Sequence, residues 1–226
     1  MTFRVSRFTL MGLTIVGAQA ALGAYIAVFG PIHPIPMHFN ADGVVNRWGG
    51  RVEAGALIGF MAALSALVVG GAGALSQRAD GARLGPKSVR TAQAITLFVT
   101  TALCGFEAAL TFGAPAQGHG SPSLQMAFLG MLLAGVGAFL GKVGPNPLVG
   151  VRTPWTFSSH LAWDKSNRLA GRLLLWGGLM SAAAAFFVPQ PLGLRAAIFG
   201  VLAIAAITVF ESWRVWRRDP DRTSAM

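Results

Sequence analysis

Six stretches of this chain are each long and apolar enough to cross a lipid bilayer, and that pattern limits the fold more than any single residue does. They run from Phe8 to Gly30, Ala54 to Leu75, Thr91 to Gly113, Leu124 to Leu140, Leu169 to Val188 and Leu192 to Phe210. A hydrocarbon core about 30 Å thick takes roughly 20 apolar residues per helix. Backbone amides in lipid must satisfy one another, which leaves helices or closed barrels, and unbroken apolar runs without alternation select helices. Composition agrees, with 54% hydrophobic residues, 12% charged residues and a mean hydropathy of +0.58. The expected fold class is therefore all-α, a polytopic membrane protein of six transmembrane helices. Only Pro189-Gln190-Pro191 separates the fifth run from the sixth. These two must form a tight helical hairpin, with proline closing one helix and opening the next.

The first run has some features of a secretory signal, because Arg4 and Arg7 precede it and Ala18-Gln19-Ala20 has a small-x-small pattern. Its apolar character continues through Tyr25 to Phe29, the length of a span, so it reads as a retained first helix. Orientation follows from the basic residues beside the spans, since positive loops stay cytoplasmic. Fifteen of the 18 Lys and Arg residues fall on one side, and only Arg47, Arg51 and Arg195 on the other. The expected location is a cytoplasmic (inner) membrane with both termini cytoplasmic and the loop 31–53 external. The net charge of +10 then needs no nucleic acid to explain it. A basic rim suits a bilayer with an anionic cytoplasmic leaflet, and no nucleic-acid-binding motif accompanies it. The single Cys104, inside a span, offers neither a disulfide nor a metal cluster and reads as a small core residue. No cofactor is required by the sequence.

Two loops are richer than topology demands. In the external one, Pro31, Pro34 and Pro36 favour an extended entry, and Asn40-Ala41-Asp42-Gly43 carries the side-chain acceptors and the glycine of a tight turn. His38, Asn40, Asp42 and Trp48 are its candidate ligand-binding residues. His33, His38 and Asp42 are metal-ligand types, although their spacing matches no established ligand pattern and surface histidines bracing a turn are the plainer reading. The second rich loop, 141–171, falls on the cytoplasmic side. Asn146 offers an amide, Arg152 a planar fork, Thr153 and Thr156 hydroxyls, and Trp155 and Trp163 broad faces. Such a set can hold a carboxylate, a phosphate or a lipid head group. The competing reading pairs Arg152 with Asp164 or with helix-end carbonyls and anchors the tryptophans at the interface. Ser158, Ser159 and His160 lack an acid that would complete a triad, which weighs against a hydrolase and makes catalysis the less favoured class.

The segment Asn146-Pro-Leu-Val-Gly150-Val-Arg152-Thr153-Pro154-Trp155-Thr156, followed by Ser158-Ser159, Trp163 and Asn167-Arg168-x-x-Gly171, resembles the signature of the SdpI family of bacterial membrane proteins. The external Pro36-x-His38-Phe39-Asn40-x-x-Gly43-x-x-x-x-Trp48-Gly49 resembles the domain of unknown function that often precedes that signature. The resemblance implies immunity to a toxic or antimicrobial peptide. It also implies signalling of the toxin through a cytoplasmic repressor held at the membrane. On the matching positions it adds Asn167 to Asn146, Arg152, Thr153 and Trp155 as ligand-binding candidates. The alternative from a different class is a transporter or membrane-embedded enzyme acting on a small polar or lipid-linked substrate.

Each rich loop follows the first helix of a three-helix half, and each reads Asn, Gly, Trp in order: Asn40, Gly43, Trp48 and Asn146, Gly150, Trp155. Three is odd, so the halves 1–113 and 114–226 would run in opposite senses, as in a 3+3 inverted repeat. Inside the membrane Glu107 stands out, since an ionisable group there is costly and a functional candidate by default. Arg195 is its candidate partner in a structural ion pair, against proton or ion handling. Gly137-x-x-x-Gly141 allows close helix approach and is expected to pack within the bundle.

Overall fold

The computed structural model describes residues 7–71, 86–113, 121–146 and 149–222. Arg4, Arg78, Arg83, Gly73, the far end of the second expected span and the Pro147-Leu148 pair of the signature lie outside the described residues. In chain order the elements are α1 (Arg7–Phe29), β1 (Ile35–Phe39), β2 (Val45–Gly49), α2 (Arg51–Ala66), α3 (Pro86–Phe112), α4 (Pro122–Leu140), α5 (Pro154–Phe157), α6 (His160–Ala184) and α7 (Leu192–Arg218). A wider π-helical turn, Leu67–Gly71, continues α2.

This is an all-α polytopic membrane protein. Among the described residues, five stretches are long and apolar enough to cross a membrane: Arg7–Phe29, Arg51–Gly71, Val89–Phe112, Pro122–Leu140 and Leu192–Arg218. The run expected as the fifth span lies in α6, a helix of 25 residues and thus about 37 Å long. Its length is sufficient, but Asp164, Lys165, Arg168 and Arg172 crowd its N-terminal half, so its apolar portion is shorter than in the other five.

The chain divides into two compact units, Met1–Arg78 with Gln93–Ser121, and Ala79–Ala92 with Pro122–Met226. In the first, α1 and α2 cross with their backbones in direct contact. A Cβ on Gly23 would lie 2.8 Å from the Gly55 carbonyl oxygen, and one on Gly55 would lie 2.5 Å from that of Gly23. In lipid, close approach through small residues replaces the hydrophobic effect as the source of helix affinity. Ile26, Ile35, Ala54, Ile58 and Cys104 form the buried core of this unit, so Cys104 is the small core residue its sequence context implied. At this π turn Gln93 of α3 donates its side-chain Nε2 to Val69 oxygen at 2.8 Å.

The second unit repeats the small-residue contact. Cβ atoms on Gly130 and Gly178 would each meet the other's carbonyl oxygen, at 2.6 and 2.5 Å, and Gly137 and Gly171 face each other at 2.7 and 2.9 Å. Gly137 and Gly141 therefore serve packing between α4 and α6 inside the bundle, as their spacing predicted. The turn into α7 is closed by Gln190, whose side chain donates to Ala185 oxygen at 3.3 Å and accepts from Leu194 nitrogen at 3.1 Å. One amide thereby satisfies the open end of α6 and the open start of α7.

Candidate functional site

The 31–53 loop folds into an antiparallel hairpin. Ile35 pairs with Gly49, Pro36 with Trp48, His38 with Arg47 and Phe39 with Val45, with a register shift around His38. Asn40 builds the turn: its Oδ1 accepts from Asp42 nitrogen at 3.0 Å and Val44 nitrogen at 2.9 Å. Gly43 takes φ +75°, the left-handed value this turn needs. The turn expected at Asn40 to Gly43 thus forms, and Asn40 spends its acceptor on it. The hairpin base is held by three contacts. Arg47 pairs with Glu53, Arg51 donates to the Gly30 carbonyl at 3.3 Å, and Ile35 is fully buried in the core of the first unit.

What the hairpin leaves outward is the other half of the candidate set. His38 is exposed and its Nδ1 lies 2.6 Å from Asn46 Oδ1 on the opposite strand. Trp48 is 42% exposed. His33 instead turns onto the adjacent backbone, 3.2 Å from Pro34 oxygen. Among the described residues no three His, Cys, Asp or Glu side chains come together to hold a metal, so His33, His38 and Asp42 are not gathered into the ligand set considered for them. Each is drawn instead into local hairpin or loop contacts.

The signature loop has the reverse character, because most of its conspicuous polar side chains point into the protein. Asn146 donates to Gly144 oxygen at 2.9 Å and Val149 oxygen at 3.0 Å, and accepts from Val149 nitrogen at 2.8 Å. Asn167, 1% exposed on α6, accepts from Val151 nitrogen at 2.8 Å and donates to Trp163 oxygen at 3.0 Å. Trp163 is fully buried and donates through its indole to Val143 oxygen at 2.8 Å. It is a clasp for the start of the loop, not an interfacial anchor. Gly150 fits between these two side chains at φ +137°, where a Cβ would meet Asn167 Oδ1 at 2.8 Å and the Trp163 ring at 2.9 Å. A loop without regular structure must find partners for its buried amides among side chains, and these residues supply them.

The next turn is treated the same way. Thr153 caps α5 in a capping box with Thr156, at Thr156 nitrogen to Thr153 Oγ1 3.3 Å and Thr153 nitrogen to Thr156 Oγ1 3.0 Å. The Thr153 hydroxyl also lies 3.1 Å from Ser212 Oγ on α7. Ser159 caps α6 through Ala162 nitrogen at 2.9 Å, and its hydroxyl donates to the buried carboxylate of Asp219, just past the end of α7. Asp219 and Ser212 escaped the sequence reading. Nothing in local spacing marks an acid after a basic run, Arg217-Arg218, as the partner of a serine sixty residues earlier.

Two signature candidates remain outward. Arg152 is exposed, with its guanidinium 5.9 Å from the Phe157 ring centroid, and Trp155 is half-buried. The pairing of Arg152 with Asp164 does not form; Asp164 sits 3.9 Å from Arg168, one turn along α6. Glu107 is 8% exposed within α3, with no hydrogen-bond partner for its Oε1 among the described residues. It belongs to the first unit and Arg195 to the second.

Residues 142–211 match the model of the SdpI/YfhL protein family. The immunity protein SdpI of Bacillus subtilis (strain 168) is 33% identical over 91 residues, covering 37% of this chain and 44% of that relative. The chain thus spans less than half the length of the curated relative it matches. No solved structure matches. The match covers the loop from Val143 to Asn167 and its anchors on α6, and in this segment the chain is similar to the SdpI/YfhL family.

Proposed function

We propose that the protein is a bacterial inner-membrane immunity protein that binds a toxic or antimicrobial peptide at its external face. The observation that carries this reading is the likeness of residues 142–211 to an immunity protein. The division of labour between the two loops supports it. Asn146, Thr153 and Asn167 are committed to holding their own loop, so they are poorly placed to recognise anything else. The hairpin offers exposed His38, Asn46 and Trp48 on a short, braced element. An aromatic side chain with low conformational entropy, next to hydrogen-bonding groups, is a good peptide contact. The basic residue distribution supports an external hairpin and cytoplasmic termini. Exposed Arg152, Lys142 and Arg168 then face the cytoplasm, where a repressor relaying the toxin signal would dock.

The test is a strain lacking the gene, challenged with a panel of membrane-active peptides and complemented by wild type, His38→Ala, Trp48→Ala and Arg152→Ala. Wild type should restore growth, and the two hairpin variants should lose protection at equal membrane abundance while Arg152→Ala keeps it. Loss with Arg152→Ala alone would move the site to the signature loop and favour a transporter or enzyme. Wild type that protects against no peptide would remove the immunity reading.

A further inference from the structure

The first unit contains a line of buried polar groups that neither loop uses. On α3 the buried positions Thr100, Cys104, Glu107 and Thr111 recur at intervals of four, three and four, so they share one face. With Gln93, also buried, that face carries polar groups over 18 residues, about 27 Å of helix rise, close to the roughly 30 Å of a bilayer's hydrocarbon core. Facing helices add to it. Gln19 of α1 donates to Thr100 Oγ1 at 3.2 Å and Thr101 Oγ1 at 2.9 Å. Ser65 of α2 lies 2.7 Å from Thr100 Oγ1.

Three oxygens along this face have no hydrogen-bond partner among the described residues: Gln19 Oε1, Glu107 Oε1 and Thr111 Oγ1, on side chains that are 4, 8 and 0% exposed. Buried polar atoms are almost always paired, so three orphans on one seam call for an occupant that supplies protons or donors. The surroundings of Glu107 are also short of positive charge. The charged residues of α1, α2 and α3 are Arg7, Arg51, Glu53, Lys87, Arg90 and Glu107 itself. Arg7, Arg51, Lys87 and Arg90 stand in the first turns of their helices, and Arg51 and Glu53 are engaged at the hairpin base. Along this face Cys104 stands one turn from Glu107 on α3, while the amide of Gln19 on α1 and the hydroxyl of Ser65 on α2 meet Thr100, two turns away. Of the hairpin's titratable groups, Arg47 is paired with Glu53, and His38 is exposed and turned to Asn46. An ionised carboxylate in such a place is strongly disfavoured, and taking a proton relieves it.

We propose that this seam is a proton path through the first unit, in which Glu107 is the carboxyl that takes up and releases the proton. The Ser65 and Thr100 pair has the property a relay needs. Each hydroxyl has a second acceptor in its own helix, Met61 oxygen at 2.9 Å for Ser65 and Thr96 oxygen at 2.8 Å for Thr100. The pair can therefore reverse which oxygen donates without moving a heavy atom. Thr100 and Glu107 are seven residues apart, about 10 Å along the helix, with Cys104 between them and the unpartnered Gln19 Oε1 on the side chain that meets Thr100. In the chemical step the carboxylate oxygen of Glu107 gains a proton from water on one side and the new O–H bond breaks toward water on the other. Each hydroxyl on the way accepts one proton and gives one up, so the seam is regenerated and nothing is oxidised or reduced. This role is independent of peptide binding by the hairpin.

The full chain reconstituted in phosphatidylethanolamine–phosphatidylglycerol vesicles, with a trapped pH dye and a valinomycin-set potassium potential, tests it. Wild-type vesicles should acidify faster than protein-free ones, and Glu107→Gln should slow this by at least about tenfold, as on losing a proton-transfer group, while Glu107→Asp retains part of the rate. A second reading does not depend on the variant's folding: a hydrophobic carbodiimide, which reacts with protonated carboxyls, should modify Glu107 of the wild type, less so as pH rises. Wild type no faster than empty vesicles, Glu107→Gln at the wild-type rate, uptake that follows sodium in place of protons, or labelling that ignores pH would each overturn the proposal.

Discussion

Replacing Gly150 by alanine is the sharpest probe of the signature loop, because two separate costs meet at one Cβ. The first is conformational. At φ +137° an L residue is held outside its allowed regions, which costs about 1–3 kcal/mol. The second is packing. The added Cβ would lie 2.8 Å from Asn167 Oδ1 and 2.9 Å from two atoms of the Trp163 ring. Neither neighbour can retreat freely, since the amide oxygen receives Val151 nitrogen at 2.8 Å and the indole donates to Val143 oxygen at 2.8 Å. Giving up one of these leaves a buried group unmet, at about 1–3 kcal/mol. The sum, about 2–6 kcal/mol, is a large part of the 5–15 kcal/mol typical of a folded protein. The assay is reversible unfolding of the purified protein by increasing sodium dodecyl sulfate in mild-detergent micelles, followed by circular dichroism. Gly59→Ala in α2 is the control, because a Cβ there meets nothing within 4 Å and helix propensity favours alanine by about 1 kcal/mol. If Gly150→Ala unfolds at the wild-type midpoint, or shifts no further than Gly59→Ala, then the clasp around Gly150 does not stabilise the loop.

Two further outcomes follow from the same geometry. Ser159→Ala should destabilise by about 2–4 kcal/mol, combining a lost N-cap with a buried carboxylate deprived of its donor. A double-mutant cycle with Asp219→Asn should show clear coupling in the same unfolding assay, and additive effects would mean that Ser159 and Asp219 act separately. For topology, a Cys104→Ser background freed of its only cysteine allows single cysteines at the exposed positions Asn46 and Arg217. An impermeant maleimide should label intact cells at position 46 and not at 217, and the opposite pattern would reverse the orientation.

Some of this protein is written in its sequence and some is not, and the division follows the range of the interactions involved. Apolar runs, the Asn40 to Gly43 turn, the Gln190 hairpin and the Gly137 packing stripe are all local: a span needs only its own length of apolar residues, and a turn only its own acceptor and glycine. Even there, four charged residues in the first half of α6 blunt the apolar signal of a helix that is nonetheless continuous.

What Asn146, Asn167 and Thr153 do could not be read from their positions. An amide or hydroxyl has the same donors and acceptors whether it faces a ligand or a neighbouring backbone, and only the folded chain decides which. Asn167 finds Val151 nitrogen sixteen residues back, Ser159 finds Asp219 sixty residues on, and Thr100 finds Gln19 across eighty-one. The same holds for Glu107, whose place in a helix was evident from the sequence. Its spacing from Thr100 and Thr111 puts the three on one helix face, but that this face is buried was set by how the helices pack. The sequence by itself determined the membrane spans, their turns and the family signature, because periodicity and turn chemistry act over a few residues. The tertiary structure alone decided which polar groups hold the protein together and which remain available, because each partner is chosen across helices.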